Sequence, residues 1–162
     1  MTPKTKNILF ATDLSENSAY AFNYAVDLAK KNKAKIIILH AIEPVSQSAI
    51  AYLGMDWAVK VEKEHVKKDI KEVKNRVQEF CKKAQGKAGA RCSDLVSKTI
   101  VLVGHPTEEI LNAANKEKCD MIVLGSHGKG FLAHTFLGSV SSGVLHRSRK
   151  PVLIIPPPSE KH

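Results

Sequence analysis

Cysteine and tryptophan are scarce in this chain, with three cysteines and one tryptophan among 162 residues, and all aromatics together make up 6%. Cys81, Cys92 and Cys119 have neither zinc-ligand nor redox-motif spacing, and an odd count fits reduced thiols rather than a disulfide framework. No stretch approaches the ~20 consecutive apolar residues of a membrane span. The opening MTPKTKNILFATD has no apolar signal-peptide core and no small-residue cleavage site. Lipidation motifs are missing at both ends. These absences predict a cytoplasmic protein with no membrane insertion. Repeats are absent too, and no composition shift marks a second domain.

What is present describes an ordinary globular domain: 43% hydrophobic and 25% charged residues, in a chain inside the ~100–200 residues of a typical domain. The formal net charge is +9. The 60–87 segment holds ten basic and five acidic residues, more than half of that excess. The same segment carries Val66, Ile70, Val73, Val77, Phe80 and Ala84 at alternating four- and three-residue steps, with Val59 one heptad earlier. That spacing predicts a long amphipathic helix with one apolar stripe. Its lysines fall on the solvated face, with Glu64–Lys68 and Glu72–Arg76 at i,i+4. A functional basic surface is the other reading. No aromatics interleave with the lysines and no nucleic-acid module signature occurs, so nucleic acid is not an expected partner.

The pattern along the chain alternates strand and helix. NILFAT (7–12) reads as a buried strand ending at Asp13, followed by a helix capped by Ser15 and running to Asn32. AKIIILHAI (34–42) is apolar without alternation, as in a parallel sheet covered on both faces. Residues 43–56 contain Pro44, Ser46, Ser48 and Gly54 without a clear period, and 43–57 reads as a loop or lid. The basic helix is expected from Trp57 to Gln85, stopped by Gly86 and Gly89. KTIVLV (98–103) is the third strand. Pro106 opens a helix with Glu108 and Glu109 in its first turn. DMIVL (120–124) is the fourth strand, a helix follows from Ser139 to Arg147, and PVLII (151–155) is the fifth. Strands separated by helices in this way make a single doubly wound α/β domain.

The chemistry concentrates after the fourth strand, in Gly125-Ser126-His127-Gly128-Lys129-Gly130, followed by Leu137-Gly138-Ser139-Val140-Ser141-Ser142. Glycines after a strand allow positive φ and close backbone approach to an anion. A serine-rich helix start offers unpaired N–H groups and partial positive charge. The set reads as a phosphate cradle or as a tight turn with a helix cap. It is neither a Walker A loop nor the dinucleotide fingerprint, because the glycines run G-x-x-G-x-G. G-S-H-G is not a nucleophile elbow, so Ser126 is not read as a nucleophile. Asp13 reads either as a crevice carboxylate or as a turn residue. His127 contributes its backbone or acts as a base, and His40 reads as a satisfied core or rim histidine. Trp57 reads as packing under the lid or as an adenine platform.

The spacing Gly125-x2-Gly128-x9-Gly138-Ser139 resembles the ATP-binding motif of the universal stress protein A-type family. ILFATDLSENSAYAFNYA, IIILHAIEP, GHPTEEIL, CDMIVLGSHGKG and PVLIIPP are similar to that family as well, so the resemblance spans nearly the whole chain. It implies a five-stranded parallel sheet of order 3-2-1-4-5 with helices on both faces and a nucleotide across the carboxyl ends of the strands. By this resemblance Asp13 contacts the adenosine part, with Ala11, Thr12 and Ser15 beside it. The backbone of Ala41 meets the adenine edge, and Val103 is also implied as a nucleotide-binding residue. Gly125, Ser126, His127, Gly128, Lys129, Gly138, Ser139, Val140 and Ser141 hold ribose and phosphates. The implied ligand is ATP or AMP, with Mg2+ or Mn2+ accompanying it. A homodimer through the last strand and a regulatory protein partner of unknown identity are also implied. The expected function is an ATP-binding stress-response regulator. The alternative is a slow ATPase or phosphotransfer enzyme on the same site. Phosphoryl transfer wants a metal ligand, a base and positive charge on the phosphates. The sequence offers Asp13 with Lys129 or His127 but no second acidic ligand after a neighbouring strand.

Overall fold

The continuous apolar runs become the strands of one parallel sheet in a computed structural model that describes residues 2–88, 92–128 and 137–158, without the side chains of 81–88, 92 and 93. The elements in chain order are β1 (Asn7–Ala11), α1 (Glu16–Asn32), β2 (Lys35–Ile42), α2 (Gln47–Leu53), α3 (Met55–Ala88), α4 (Cys92–Leu95), β3 (Val96–Val103), α5 (Pro106–Lys116), β4 (Met121–Gly125), α6 (Ser139–Arg147) and β5 (Val152–Ile155). The sheet order is β3-β2-β1-β4-β5. Ile8 pairs with Ile36 on one side and Met121 on the other. The order expected from the resemblance is the order observed.

Strand alternation explains why β1 and β2 are apolar throughout. Ile8, Phe10, Ile36 and Ile38 face one layer with Ala21, Phe22, Ala25 and Val26 of α1 and Val73 of α3. Leu9, Ile37 and Leu39 face the other layer with Ile110 and Ala113 of α5 and Val144 of α6. A helix on each face leaves no solvated side for polar residues. Each fully buried Leu or Ile contributes roughly 1.5–3 kcal/mol. The Phe22 ring lies 5.0 Å from Phe10 and 5.0 Å from Phe80, so α3 is fastened to the sheet through α1. The basic stripe therefore belongs to a packed helix, with Val73 buried and Glu72–Arg76 paired at 2.8 Å.

Several boundaries differ from the sequence reading, each for a local reason. The 43–57 stretch is not irregular throughout. Ser46 accepts a hydrogen bond from the Ala49 N–H and starts α2, which Gly54 ends at φ +94°. None of the α2 residues is buried, so it lacks the apolar period that marks a helix in sequence. α3 continues through Gly86 to Ala88, since one glycine weakens a long helix without breaking it. β3 starts two residues before Lys98, after the short α4. Trp57 is 39% exposed, and Val59 is 42% exposed and so lies off the buried stripe. Cys119 is buried and unbridged, and burial pushes its thiol up to about 11. The side chains of Cys81 and Cys92 lie outside the described residues.

Candidate functional site

The chain leaves β1 toward β2 on one side of the sheet and leaves β4 toward β5 on the other. The carboxyl ends of β1 and β4 therefore part, and open α/β sheets bind ligands at such a switch point. A crevice of about 710 Å³ lies there, within the usual ~300–1,000 Å³ of small-molecule sites.

At the β1 end, four residues form a tightly bonded turn. The Thr12 N–H donates to the Leu39 carbonyl at 2.9 Å. Thr12 Oγ1 accepts from the Leu14 N–H at 3.0 Å and from Ser18 Oγ at 2.7 Å. Asp13 Oδ1 accepts from the Ser15 N–H at 3.0 Å. Ser15 Oγ caps α1 by accepting from the Ser18 N–H at 3.2 Å. Leu14 has φ +65°, a conformation that costs a non-glycine residue ~1–2 kcal/mol. Burial of its side chain and these hydrogen bonds hold it there. The strained turn brings the Asp13 carboxylate across to the β4 side.

At the β4 end, the glycines serve close approach rather than positive φ. Among the described glycines only Gly54 has φ above zero, which corrects the expectation for Gly125, Gly128 and Gly138. A Cβ on Gly128 would lie 2.5 Å from Asp13 Oδ2, so a side chain there would displace the Asp13 carboxylate. A Cβ on Gly138 would lie 3.2 Å from the Ser126 carbonyl. That carbonyl accepts from the Gly138 N–H at 2.7 Å and from Ser141 Oγ at 2.7 Å. Ser141 is thus buried and turned inward, clamping α6 to the β4 loop. Ser126 Oγ and His127 Nδ1 are 2.8 Å apart. Gly138 gives α6 no side-chain cap, which leaves first-turn N–H groups of Ser139, Val140 and Ser141 without intrahelical partners. A two-pronged Arg147–Glu108 ion pair ties α6 to α5, and it holds the Glu108 carboxyl below its ordinary value.

Of the residues expected at the site, Ala11, Thr12, Asp13, Ala41, Gly125, Ser126, His127, Gly128, Gly138, Ser139, Val140 and Ser141 line the crevice. Ser15 does not, because its hydroxyl is spent on the α1 cap, and Val103 at the end of β3 lies outside the lining too. Lys129 lies outside the described residues. The sequence reading left His40, Asp69, Glu43, Pro106 and Ile110 out of the site, and all five line it. His40 is 6% exposed, with Nδ1 at 2.8 Å from the Thr12 carbonyl and Nε2 at 2.8 Å from Asp69 Oδ2. It is indeed satisfied, but at the crevice floor.

Fold and site together define a doubly wound α/β domain with a glycine-lined crevice at its switch point. Comparison with known proteins narrows this class. Residues 4–156 match the model of the universal stress protein family. A universal stress protein of Methanocaldococcus jannaschii is 30% identical over 162 residues, covering 96% of this chain and 97% of the relative. The solved structure of that M. jannaschii protein matches with a TM-score of 0.79 at 27% identity, over 98% of this chain and 100% of the other. A universal stress protein solved in complex with cAMP matches with a TM-score of 0.59 at 23% identity, over 95% of this chain and 98% of the other. One from Archaeoglobus fulgidus in complex with dAMP has a TM-score of 0.52 at 19% identity, over 94% and 99%. The chain belongs to the universal stress protein family.

Proposed function

We propose that this crevice binds an adenine nucleotide, ATP or AMP, and that occupancy is read by a regulatory protein partner in a stress response. The observation that carries the reading is the meeting of Asp13 with Gly128 beside an uncapped helix start. A carboxylate suits ribose hydroxyls or an adenine amino group, and free helical N–H groups suit phosphate. Leu39, Pro106, Ile110, Leu124 and Val140 give the crevice an apolar wall for a base. The cAMP and dAMP complexes of the same fold are consistent with this chemistry. The 43–57 segment, whose Glu43 lines the crevice, is its lid in this reading.

Binding is favoured over turnover. Among the described residues no group of three or more His, Cys, Asp or Glu side chains is placed to hold a metal ion. Asp13 Oδ1 is engaged by Ser15, and Asp69 by His40. Glu43, directly after β2, lines the crevice as a second acid where the sequence reading expected none. Mg2+ or Mn2+ would arrive with the nucleotide, since such ions take one or two carboxylates and complete their shell with phosphate oxygens. Mass spectrometry of small molecules released from the purified, denatured protein should find an adenine nucleotide, and single-turnover assays should show slow phosphate release at most. Rapid multiple turnover would favour the enzyme reading instead.

A homodimer through β5 belongs to the same proposal. Among the described residues β5 pairs with β4 alone and stands at the edge of the sheet, where an open strand edge favours another strand. Sedimentation velocity at micromolar concentration should show a dimer, and a monomer there would remove this part. Among the described residues no helix is long and apolar enough to cross a membrane. A cytoplasmic location is part of the proposal.

A further inference from the structure

Asp69 is an acid on the inward side of a basic helix, one turn before the buried Val73. His40 shares its strand face with Ile36 and Ile38, which lie in the layer packed by α1 and α3. The ring bridges two elements that are distant in sequence. Its Nε2 meets Asp69 Oδ2 on α3, and its Nδ1 meets the Thr12 carbonyl at the mouth of β1. A carbonyl only accepts, so Nδ1 donates there. That bond completes Thr12, whose N–H, carbonyl and hydroxyl are then all engaged. The next residues are Asp13, which faces Gly128, and Leu14, held at positive φ.

We propose that His40 is a positioning residue for the crevice: it holds the 12–15 turn through Thr12 and so presents Asp13, while Asp69 fixes the orientation of the ring. A turn containing a strained residue relaxes unless its surroundings over-determine it. The Thr12 carbonyl is the point at which α3 acts on it through His40, beside the bond from the Thr12 N–H to Leu39 of β2. The ligand part of this inference rests on the nucleotide-binding reading, whereas the hold on the turn does not.

Two near-isosteric variants separate the contacts of the ring. In His40→Asn the side-chain amide can replace Nδ1 toward Thr12 and cannot reach Asp69. In His40→Gln it extends toward Asp69 and gives up the Thr12 bond. ATP titration should show His40→Asn within about threefold of the parent and His40→Gln weakened about five- to tenfold, the scale of one hydrogen bond. In an Asp13→Ala background the His40→Gln loss should vanish, because His40 acts through Asp13. In ligand-free protein, the Leu14 and Ser15 amides should exchange faster in His40→Gln than in His40→Asn, with the β1 core amides unchanged. Equal losses in the two variants, or a His40→Gln loss that persists in full without Asp13, would overturn the proposal. If the parent protein binds no adenine nucleotide, the functional reading fails and amide exchange alone decides. Faster exchange confined to the turn in His40→Gln supports the positioning role, and equal exchange in both variants refutes it.

Discussion

Replacing Gly128 by valine is expected to lower ATP affinity by about 10- to 150-fold, the equivalent of one hydrogen bond to a charged group at ~1.5–3 kcal/mol. The cause is local. An added Cβ would stand 2.5 Å from Asp13 Oδ2, so the carboxylate must leave the position in which it faces the β4 loop. Gly138→Val should act on the other wall, since its Cβ would press the Ser126 carbonyl at 3.2 Å and disturb the clamp made by Ser141. Gly125 provides the contrast, because a Cβ there meets no described atom nearer than 3.6 Å. Gly125→Ala should therefore fold normally, and any affinity it loses reports a clash with ligand rather than with protein. Circular dichroism and ATP titration of the three variants check this. Unchanged affinity in a folded Gly128→Val, Gly138→Val double variant would remove the cradle.

Asp13→Ala should cost the nucleotide a similar ~1.5–3 kcal/mol. The effect on the fold is more than that of a solvent-facing carboxylate, because the half-buried Ser15 N–H loses its acceptor. We therefore expect ligand-free urea stability to fall by ~0.5–1.5 kcal/mol, the net value of one ordinary hydrogen bond. Asp13→Asn separates the two roles. Its amide oxygen can still accept from Ser15, so stability should stay near that of the parent, while loss of the charge still weakens the ligand. If both variants keep full affinity per folded molecule and only Asp13→Ala is unstable, Asp13 is a turn residue and nothing more.

The layers of this fold were legible because burial on both faces writes itself into sequence as unbroken runs such as IIIL. The α1 cap was legible because Ser15 stands where an acceptor is needed. α2 was not, since a short helix with no buried residue leaves no apolar period, although Ser46 and Gly54 mark its ends. At the site, the glycine spacing located the β4 loop and Asp13 located the β1 end. Of the two reasons read for Gly128, positive φ does not hold, and the close approach that does involves the carboxylate of a residue 115 positions earlier. His40 and Asp69 are 29 residues apart on a strand and a helix. Only the packing of α3 on the sheet brings them together, and no local pattern in either segment announces the pair. Ser15 and Val103 were implied by the resemblance alone, and neither lines the crevice: the Ser15 hydroxyl caps α1, and Val103 stands at the end of β3.

The central claim is that the crevice between β1 and β4 receives an adenine nucleotide. Calorimetric titration of nucleotide-free protein with ATP and with AMP, in the presence of Mg2+, tests it most directly. Saturable binding at one site per chain is expected for at least one of them, weakened in Asp13→Ala and in Gly128→Val. Absence of saturable binding by the folded parent protein up to millimolar nucleotide, or equal binding by the parent and both variants, would contradict it.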